Sequence, residues 1–497
     1  MTNEPITLKQ IAELAGGQLT GDGSLTVTDV IHDSRQAGPG ALFAAVRGEL
    51  FDAHKFVPQV LKQGAVGVLS EQEAPADLSK GAVWIRVENI RHAMALAAAE
   101  VHSHPSRELQ LVGITGTNGK TTTAYLVASI PEAAGEPVVM TGTVEYRLGS
   151  KRSKAERTTP EATDMQRMLR RAVEAGCKMA VMECSSQAMD FHRCDSLDYA
   201  VAVFSNLTRD HLDYHKTMEN YWYAKQRLFD GRLGSKPRTS VINVDDPYGL
   251  ELAEALEKEG LAVVRYGVKS DAHVMAKDAK FSLDGMHFNL VTPAGTEEFH
   301  SPLVGPPHIY NTLAAVATGL SLGYGLDVIT SALEKCTGAP GRFERVPHAG
   351  DFAVVVDYAH TDDALLNVLR TARDVTRGKI ITVFGCGGDR DRSKRAPMGE
   401  AAGSLSDVVI LTSDNPRMED PEQILADAEV GIKKTGKPYR KIADRREAIH
   451  QAISEANGND LVLIAGKGHE DYQILGLDVF HFDDKEVAKE ALAQEAR

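Results

Sequence analysis

Apolar residues along this chain alternate between two patterns. Short unbroken runs at Leu111–Thr115, Pro137–Met140, Lys178–Cys184, Ala200–Asn206, Ser240–Asn243 and Ala262–Tyr266 read as strands buried on both faces. Between them, apolar positions recur at helical spacing near Thr121–Ile130, Ala162–Ala175 and Tyr221–Phe229. This alternation predicts a doubly wound, mostly parallel sheet over residues 107–341. In such a sheet ligands lie beyond the carboxyl ends of the strands.

The flanking regions differ in grain. Residues 1–106 mix a helix at Leu8–Ala15, strand-like runs at Leu25–Ile31, Ala41–Val46 and Ala82–Val87, and a helix at Arg91–His102. His104-Pro-Ser106 reads as a linker. Residues 342–497 repeat the strand–helix alternation, with strands expected at Phe352–Val356, Lys379–Phe384, Asp407–Leu411 and Leu461–Ala465. Gly338-Ala-Pro-Gly341 is the expected hinge between the last two regions. The expectation is an α/β chain of three domains, 1–106, 107–341 and 342–497, the last a smaller, Rossmann-like α/β domain.

Composition adds limits. A chain of 497 residues is too long for one ordinary core. Its 43% hydrophobic and 25% charged residues suit a soluble globular protein, and no apolar run of about 18 residues predicts a membrane span. Met1 to Ala15 lacks a basic segment followed by an apolar one, so no secretion signal is expected. The cysteines (Cys177, Cys184, Cys194, Cys336, Cys386) are odd in number and form no Cys-x-x-Cys pair. That points to reduced thiols in a cytoplasm, not to a disulfide frame or a zinc site. The formal net charge of −14 weighs against nucleic-acid binding.

The most informative chemistry lies at Gly113-Ile-Thr-Gly-Thr-Asn-Gly-Lys-Thr-Thr-Thr123. A strand, a glycine-rich turn and a helix N-terminus together make an anion site, because backbone N–H groups and the helix dipole face the ligand. Lys120 would neutralise phosphate charge, and the hydroxyl of Thr121 or Thr122 could reach Mg²⁺. The P-loop pattern is not strict, since its first glycine would fall at Ile114. Glu183 ends a neighbouring strand and suits Mg²⁺, a cation that prefers oxygen ligands. Asn206-Leu-Thr-Arg-Asp-His211-Leu-Asp-Tyr-His215 follows another strand; it lacks the glutamate of a zincin motif, so zinc is not expected. Lys225 sits in an aromatic helix and by default would reach for solvent. In the last region, polar turns follow the strands at Asp357-Tyr-Ala-His360, Gly385-Cys-Gly-Gly-Asp-Arg390, Thr412-Ser-Asp414-Asn-Pro-Arg417 and Gly466-Lys-Gly-His-Glu470. Each alone is ordinary turn chemistry. All together they suggest one shared site, with arginines suited to a carboxylate or phosphate.

Taken together, Gly116-Thr-Asn-Gly-Lys-Thr-Thr, Glu183-Cys-Ser-Ser, the 206–215 run, His308-Ile-Tyr-Asn311, Gly341-Arg-Phe-Glu, Asp357-Tyr-Ala-His and Gly466-Lys-Gly-His-Glu resemble the Mur ligases, ATP-dependent amino-acid ligases of peptidoglycan synthesis. The resemblance covers essentially the whole chain. It implies an N-terminal α/β domain for the uridine nucleotide, a central P-loop ATPase-like domain and a C-terminal Rossmann-like domain. Within the family, His32-Asp-Ser-Arg35 and Asp414-Asn-Pro-Arg417 resemble members that add the third residue to UDP-N-acetylmuramoyl-L-Ala-D-Glu. Arg417 points to the meso-diaminopimelate-adding type.

The resemblance also implies site roles. ATP would be bound by Gly116, Thr117, Asn118, Gly119, Lys120, Thr121, Thr122, Asn311, Arg342 and Asp357. The uridine-nucleotide substrate would meet Ser34, Arg35, Thr158, Thr159, Ser186 and Arg193. Diaminopimelate would meet Arg390, Asp414, Asn415, Arg417, Gly466 and Glu470. Mg²⁺ would be held by Thr121, Glu183, His211 and a carbamylated Lys225, with Lys120, Glu183, His211 and Lys225 as the catalytic set. Relatives with glycine at Pro160 differ from this chain beside Thr158 and Thr159. The implied enzyme is a cytoplasmic monomer of cell-wall biogenesis, acting in cell shape and division, with no nucleic-acid partner. Alternatives are the lysine-adding variant, folylpolyglutamate synthetase, and a nucleotide-gated binding protein without catalysis.

Overall fold

The computed structural model describes residues 5–48, 51–76 and 81–495. By backbone contacts the chain divides into two compact units. One comprises Met1–Met275, Thr292–Ala294 and Tyr310–Leu333; the other comprises Ala276–Val291, Gly295–Ile309 and Glu334–Arg497.

The first unit opens with a five-stranded sheet in the order Gln18–Thr20, Trp84–Arg86, Gly67–Ser70, Ala41–Ala44, Asp29–Ile31. Only the pair of Gln18–Thr20 with Trp84–Arg86 is antiparallel. Helix Ile90–Val101 covers one face through Ala93, Met94, Ala97 and Ala98, and the three alanines permit close approach. The run expected as a strand at Leu25–Ile31 is a strand only over Asp29–Ile31. The expected linker His104-Pro-Ser106 is packed against the fold. Pro105 and Ser106 are buried in a 3-10 turn, and Ser106 Oγ accepts the Asp198 N–H at 3.1 Å.

The large sheet of this unit carries the expected parallel strands, in the order Val263–Gly267, Thr239–Asn243, Val201–Phe204, Gln110–Thr115, Met179–Glu183, Val138–Thr141. Gln110–Thr115 lies in the middle, so its carboxyl end is flanked by the ends of Val201–Phe204 and Met179–Glu183. Apolar residues along these strands alternate between two buried faces. Leu111, Val139, Ala180, Met182, Ala202, Phe204 and Ile242 share one core. An antiparallel extension, Glu145–Leu148 with Lys151–Lys154, escaped sequence reading because its outer strand is polar and exposed.

The second unit contains a six-stranded sheet in the order Glu344–Arg345, Ala353–Asp357, Leu461–Ala465, Ile380–Phe384, Val408–Leu411, Tyr439–Lys441. Its pairs are parallel except the first. Val355, Phe384, Leu411, Leu461 and Leu463 face one layer of helices, and Val354, Val356, Ile381, Ile410 and Val462 face the other. Burial on both faces explains why these strands read as unbroken apolar runs. The four strands expected from the sequence are adjacent, so their polar turns emerge side by side.

Candidate active site

The glycine turn after Gln110–Thr115 has the conformation its sequence requires. Gly116 has φ 147° and Gly119 has φ 89°. A Cβ at Gly116 would stand 1.9 Å from Ser205 Oγ, and one at Gly119 would stand 2.4 Å from Asn311 Oδ1. Helix Lys120–Ala133 begins at Gly119 without a side-chain cap. The N–H groups of a first helical turn have no intrahelical acceptor, so they are available to an anion. The turn is braced from behind: Asn206 O and Oδ1 accept the N–H groups of Thr117 and Asn118, each at 2.9 Å. Lys120 Nζ donates to Gly116 O and Thr117 O, both at 2.9 Å, which places its charge over the turn.

Glu183 is fully buried at the end of the adjacent strand. Its carboxylate accepts from Thr121 Oγ1 at 2.9 Å, Thr143 N–H at 2.8 Å and Thr143 Oγ1 at 3.2 Å. Thr159 Oγ1 donates to the Glu183 carbonyl at 2.7 Å, and Thr158 Oγ1 lies 3.1 Å from Thr143 Oγ1. Thr122 is buried on the same first turn.

Lys225 does not reach solvent. It is 1% exposed in helix Met218–Asp230, and its Nζ donates to Gly116 O at 2.7 Å. Burial first, and then the neighbouring Lys120 charge, push its amine well below the usual lysine range. The same helix places Tyr221 beside the Lys225 ammonium position at 4.5 Å and beside the His211 ring at 6.0 Å. His211 adopts φ 53° at the start of the short helix Leu212–His215, and burial lowers its pKa. His215 points elsewhere. It is buried with Nε2 2.9 Å from Ser186 Oγ, so the two histidines do not form a ligand pair.

Ser34 and Arg35 lie on a short 3-10 turn whose Asp33 receives the exposed Arg35 guanidinium at 2.6 Å. The adjoining His32 reaches Thr163 Oγ1 at 2.9 Å, which brings this loop to the segment carrying Thr158 and Thr159. Arg193 meets Glu161 at 2.8 Å and the Thr159 carbonyl at 3.4 Å.

In the second unit, Arg417 has φ 53°, and its backbone bridges to Leu475. Its Nη1 donates to Gly388 O at 2.8 Å and to Asn415 O at 3.3 Å. Arg390, exposed, donates to Asp389 O at 3.2 Å. Asn415 Nδ2 donates to Glu470 Oε2 at 3.0 Å, and the buried Lys467 donates to Asn415 Oδ1 at 3.1 Å. Asp414 lies against Gly466, where a Cβ would come within 2.8 Å of its Oδ2. Burial, then the Asp414 charge, raise the Glu470 carboxyl. Asp357 is held by the N–H groups of Phe343 at 2.7 Å and Ala359 at 2.8 Å. The Arg342 guanidinium lies 4.9 Å from the Tyr358 ring centroid.

Three families of known domains match the chain in succession. The Mur ligase family catalytic domain matches residues 26–102, the Mur ligase middle domain 114–319, and the Mur ligase glutamate ligase domain 341–468. The chain belongs to the Mur ligase family.

This Mur ligase is 46% identical to the UDP-N-acetylmuramoyl-L-alanyl-D-glutamate–2,6-diaminopimelate ligase of Geobacter metallireducens, over 97% of this chain and 96% of the relative. The enzyme of the same description from Geobacter sulfurreducens is 47% identical, over 94% and 95%. A solved structure of a ligase of that description is 32% identical and covers 99% of this chain and 100% of its own, with a TM-score of 0.72. The Mur ligase fold here is the expected three-domain α/β arrangement. Sequence reading did not single out Thr143 or Lys467. Thr143 lies just beyond the end of Val138–Thr141, so the strand-end argument used for Glu183 would have found it. Lys467 lay in plain view between two glycines, but nothing local marks a lysine as buried.

Proposed function

We propose that this Mur ligase joins meso-diaminopimelate to the D-glutamyl γ-carboxylate of UDP-N-acetylmuramoyl-L-Ala-D-Glu, driven by ATP, in cytoplasmic synthesis of the peptidoglycan precursor. The observation that carries the amino-acid assignment is Arg417, whose hydrogen bonds go to backbone carbonyls, near the buried Asp414 and the half-buried Glu470. Such a set complements a group bearing both a carboxylate and an ammonium. Diaminopimelate carries that pair at each end; lysine carries only the ammonium at its side-chain end. A site built to bond a polar group discriminates by roughly 10⁴-fold against the analogue that lacks it.

The reaction must activate a poor electrophile. The γ-carboxylate oxygen attacks the terminal phosphorus of ATP, the bond to the leaving ADP oxygen breaks, and an acyl phosphate forms. The neutral amine then attacks the acyl carbon, loses its proton, and expels phosphate to leave the amide. The glycine turn and the first turn of the helix receive the phosphates, and Lys120 moves from loop carbonyls to the phosphate oxygens as charge develops. Asn311, Arg342 and Asp357 are assigned to the nucleotide. Ser34, Arg35, Thr158, Thr159, Ser186 and Arg193 are assigned to the uridine-nucleotide substrate, and the domains to 1–106, 107–341 and 342–497.

The donor set around Glu183 suits Mg²⁺, since Thr121 Oγ1 and the carboxylate are hard oxygen donors already in contact. When bound there, Mg²⁺ would neutralise charge on the transferred phosphoryl group. An ammonium at Lys225 cannot ligate a cation. A neutral amine at Lys225 can add CO₂ through its nitrogen and release a proton, which would make it the oxygen ligand assigned to one set with Glu183 and His211.

Phosphate release from Mg-ATP and UDP-N-acetylmuramoyl-L-Ala-D-Glu, with meso-diaminopimelate or L-lysine in parallel, tests the proposal. Release only with diaminopimelate is expected. Release with lysine instead would overturn the role of Arg417, and release with neither would overturn the ligase reading.

A further inference from the structure

Arg390, Arg392, Arg395 and Arg417 surround one pair of loops in the second unit. They are not equivalent. Arg395, 1% exposed, donates to Glu419 Oε1 at 2.9 Å and to Asp427 Oδ2 at 2.9 Å. Arg392 donates to Glu419 Oε2 at 2.7 Å. Arg390 and Arg417 donate to backbone carbonyls, and among the described residues no carboxylate in hydrogen-bond contact cancels their charge.

Glu419 also sets the backbone. Its Oε1 accepts the Asp389 N–H at 2.6 Å, and Asp389 Oδ2 in turn accepts the Met418 N–H at 3.1 Å. Two further bonds run between the loops: Gly388 N–H to Asn415 O at 2.9 Å, and Arg417 Nη1 to Gly388 O. Arg417 sits in the left-handed region, which a non-glycine residue holds only when its surroundings enforce it.

We propose that Glu419, clamped by Arg395 and Arg392, is a positioning residue for amino-acid specificity: it locks the 387–392 loop to the 414–419 loop and, with Asp427, balances the charge of those two arginines, so that of the four arginines Arg390 and Arg417 present charge to the substrate carboxylate. The proposal rests on the function proposed above and deepens it. The hydrogen bond from Arg395 holds the Glu419 carboxyl at about 2, so the clamp is ionised at any working pH.

Steady-state kinetics of the full-length enzyme test it, comparing wild type with Glu419→Gln. Removing the charge should raise the KM for diaminopimelate at least tenfold. The kcat should change less than threefold, the KM for ATP should hold within twofold, and discrimination against lysine should narrow. The conservative variant Glu419→Asp should recover part of the diaminopimelate KM. A diaminopimelate KM within twofold of wild type would overturn the proposal. So would parallel loss in kcat and both KM values together with a lowered melting temperature, which describes a merely structural residue. Should Glu419→Gln not fold, the exposed Arg392→Gln decides: a selective rise in the diaminopimelate KM supports the clamp, and no change overturns it. Wild-type enzyme that turns over with lysine but not diaminopimelate would instead overturn the underlying specificity assignment.

Discussion

Thr121 Oγ1 donates to Glu183 Oε2 across 2.9 Å, joining the first turn of the phosphate-loop helix to the end of the neighbouring strand. Thr121→Val leaves a fully buried carboxylate short of one donor. It should cost about 1–3 kcal/mol of stability and lower ATP turnover roughly 10²-fold, whereas Thr121→Ser should retain both. Thermal melts paired with phosphate release measure this. Undiminished turnover in the valine variant would remove Thr121 from the site.

Lys225 is expected to work as a carbamate. Enzyme stripped of bicarbonate should lose activity and regain it when bicarbonate returns, and ¹³C-bicarbonate should give a carbamate resonance absent from Lys225→Arg. Full activity in Lys225→Arg would contradict the assignment, because a guanidinium cannot take its place as an oxygen ligand.

Arg417→Ala should lower kcat/KM for diaminopimelate on the order of 10²-fold, the worth of a charge-assisted fork to one carboxylate. The KM for ATP should stay within twofold. Equal loss with both substrates would assign Arg417 to the architecture of the unit.

Arg445 and Asp484 form a bidentate ion pair with no exposed surface, at 2.8 and 2.7 Å, and Arg445 also donates to the Ala465 carbonyl at 3.0 Å. These bonds fasten helix Asp484–Glu495 to helix Arg445–Glu455 and to the strand that ends at Ala465. Asp484→Ala strands a buried guanidinium and should cost about 3–5 kcal/mol in urea unfolding. A loss under 1 kcal/mol would show that water reaches the arginine.

Burial lowers His308 to about 4 from an ordinary 6.5. Below pH 6.5 the unfolded chain binds a proton at this position that the folded chain does not. Stability contributed at this site is therefore unaffected above pH 6.5 and falls as pH drops towards 4, by about 3 kcal/mol over that interval. His308→Gln should flatten the slope of unfolding free energy against pH by about one proton in this window. An unchanged slope would assign the dependence to another group.

Much of this was legible in the residues. The parallel strands, the glycine turn and the strand-end polar segments follow from local rules: an apolar run buried on two faces, a glycine where φ must be positive, a polar group where a strand stops. The expected strands Leu111–Thr115 and Leu461–Ala465 differ from the observed ones by at most a residue. The resemblance then assigned roles that composition and spacing alone could not.

Other features had no local signature. The polar strand Lys151–Lys154 pairs through backbone bonds that any side chain allows. Lys225 and Lys467 look like ordinary surface lysines until the packing of other segments buries them; desolvation is set by neighbours distant in sequence, and so is the lowered basicity that follows. Glu419 reads as one acid among many. Only the fold brings Arg392, Arg395 and the Asp389 N–H to it, because hydrogen-bond partners across two loops are chosen by geometry in space. The sequence by itself determined which chemistry was present and at which strand ends it lay. The tertiary structure decided which charges are cancelled, which are buried and which remain for a ligand, since those depend on distance and exclusion of water.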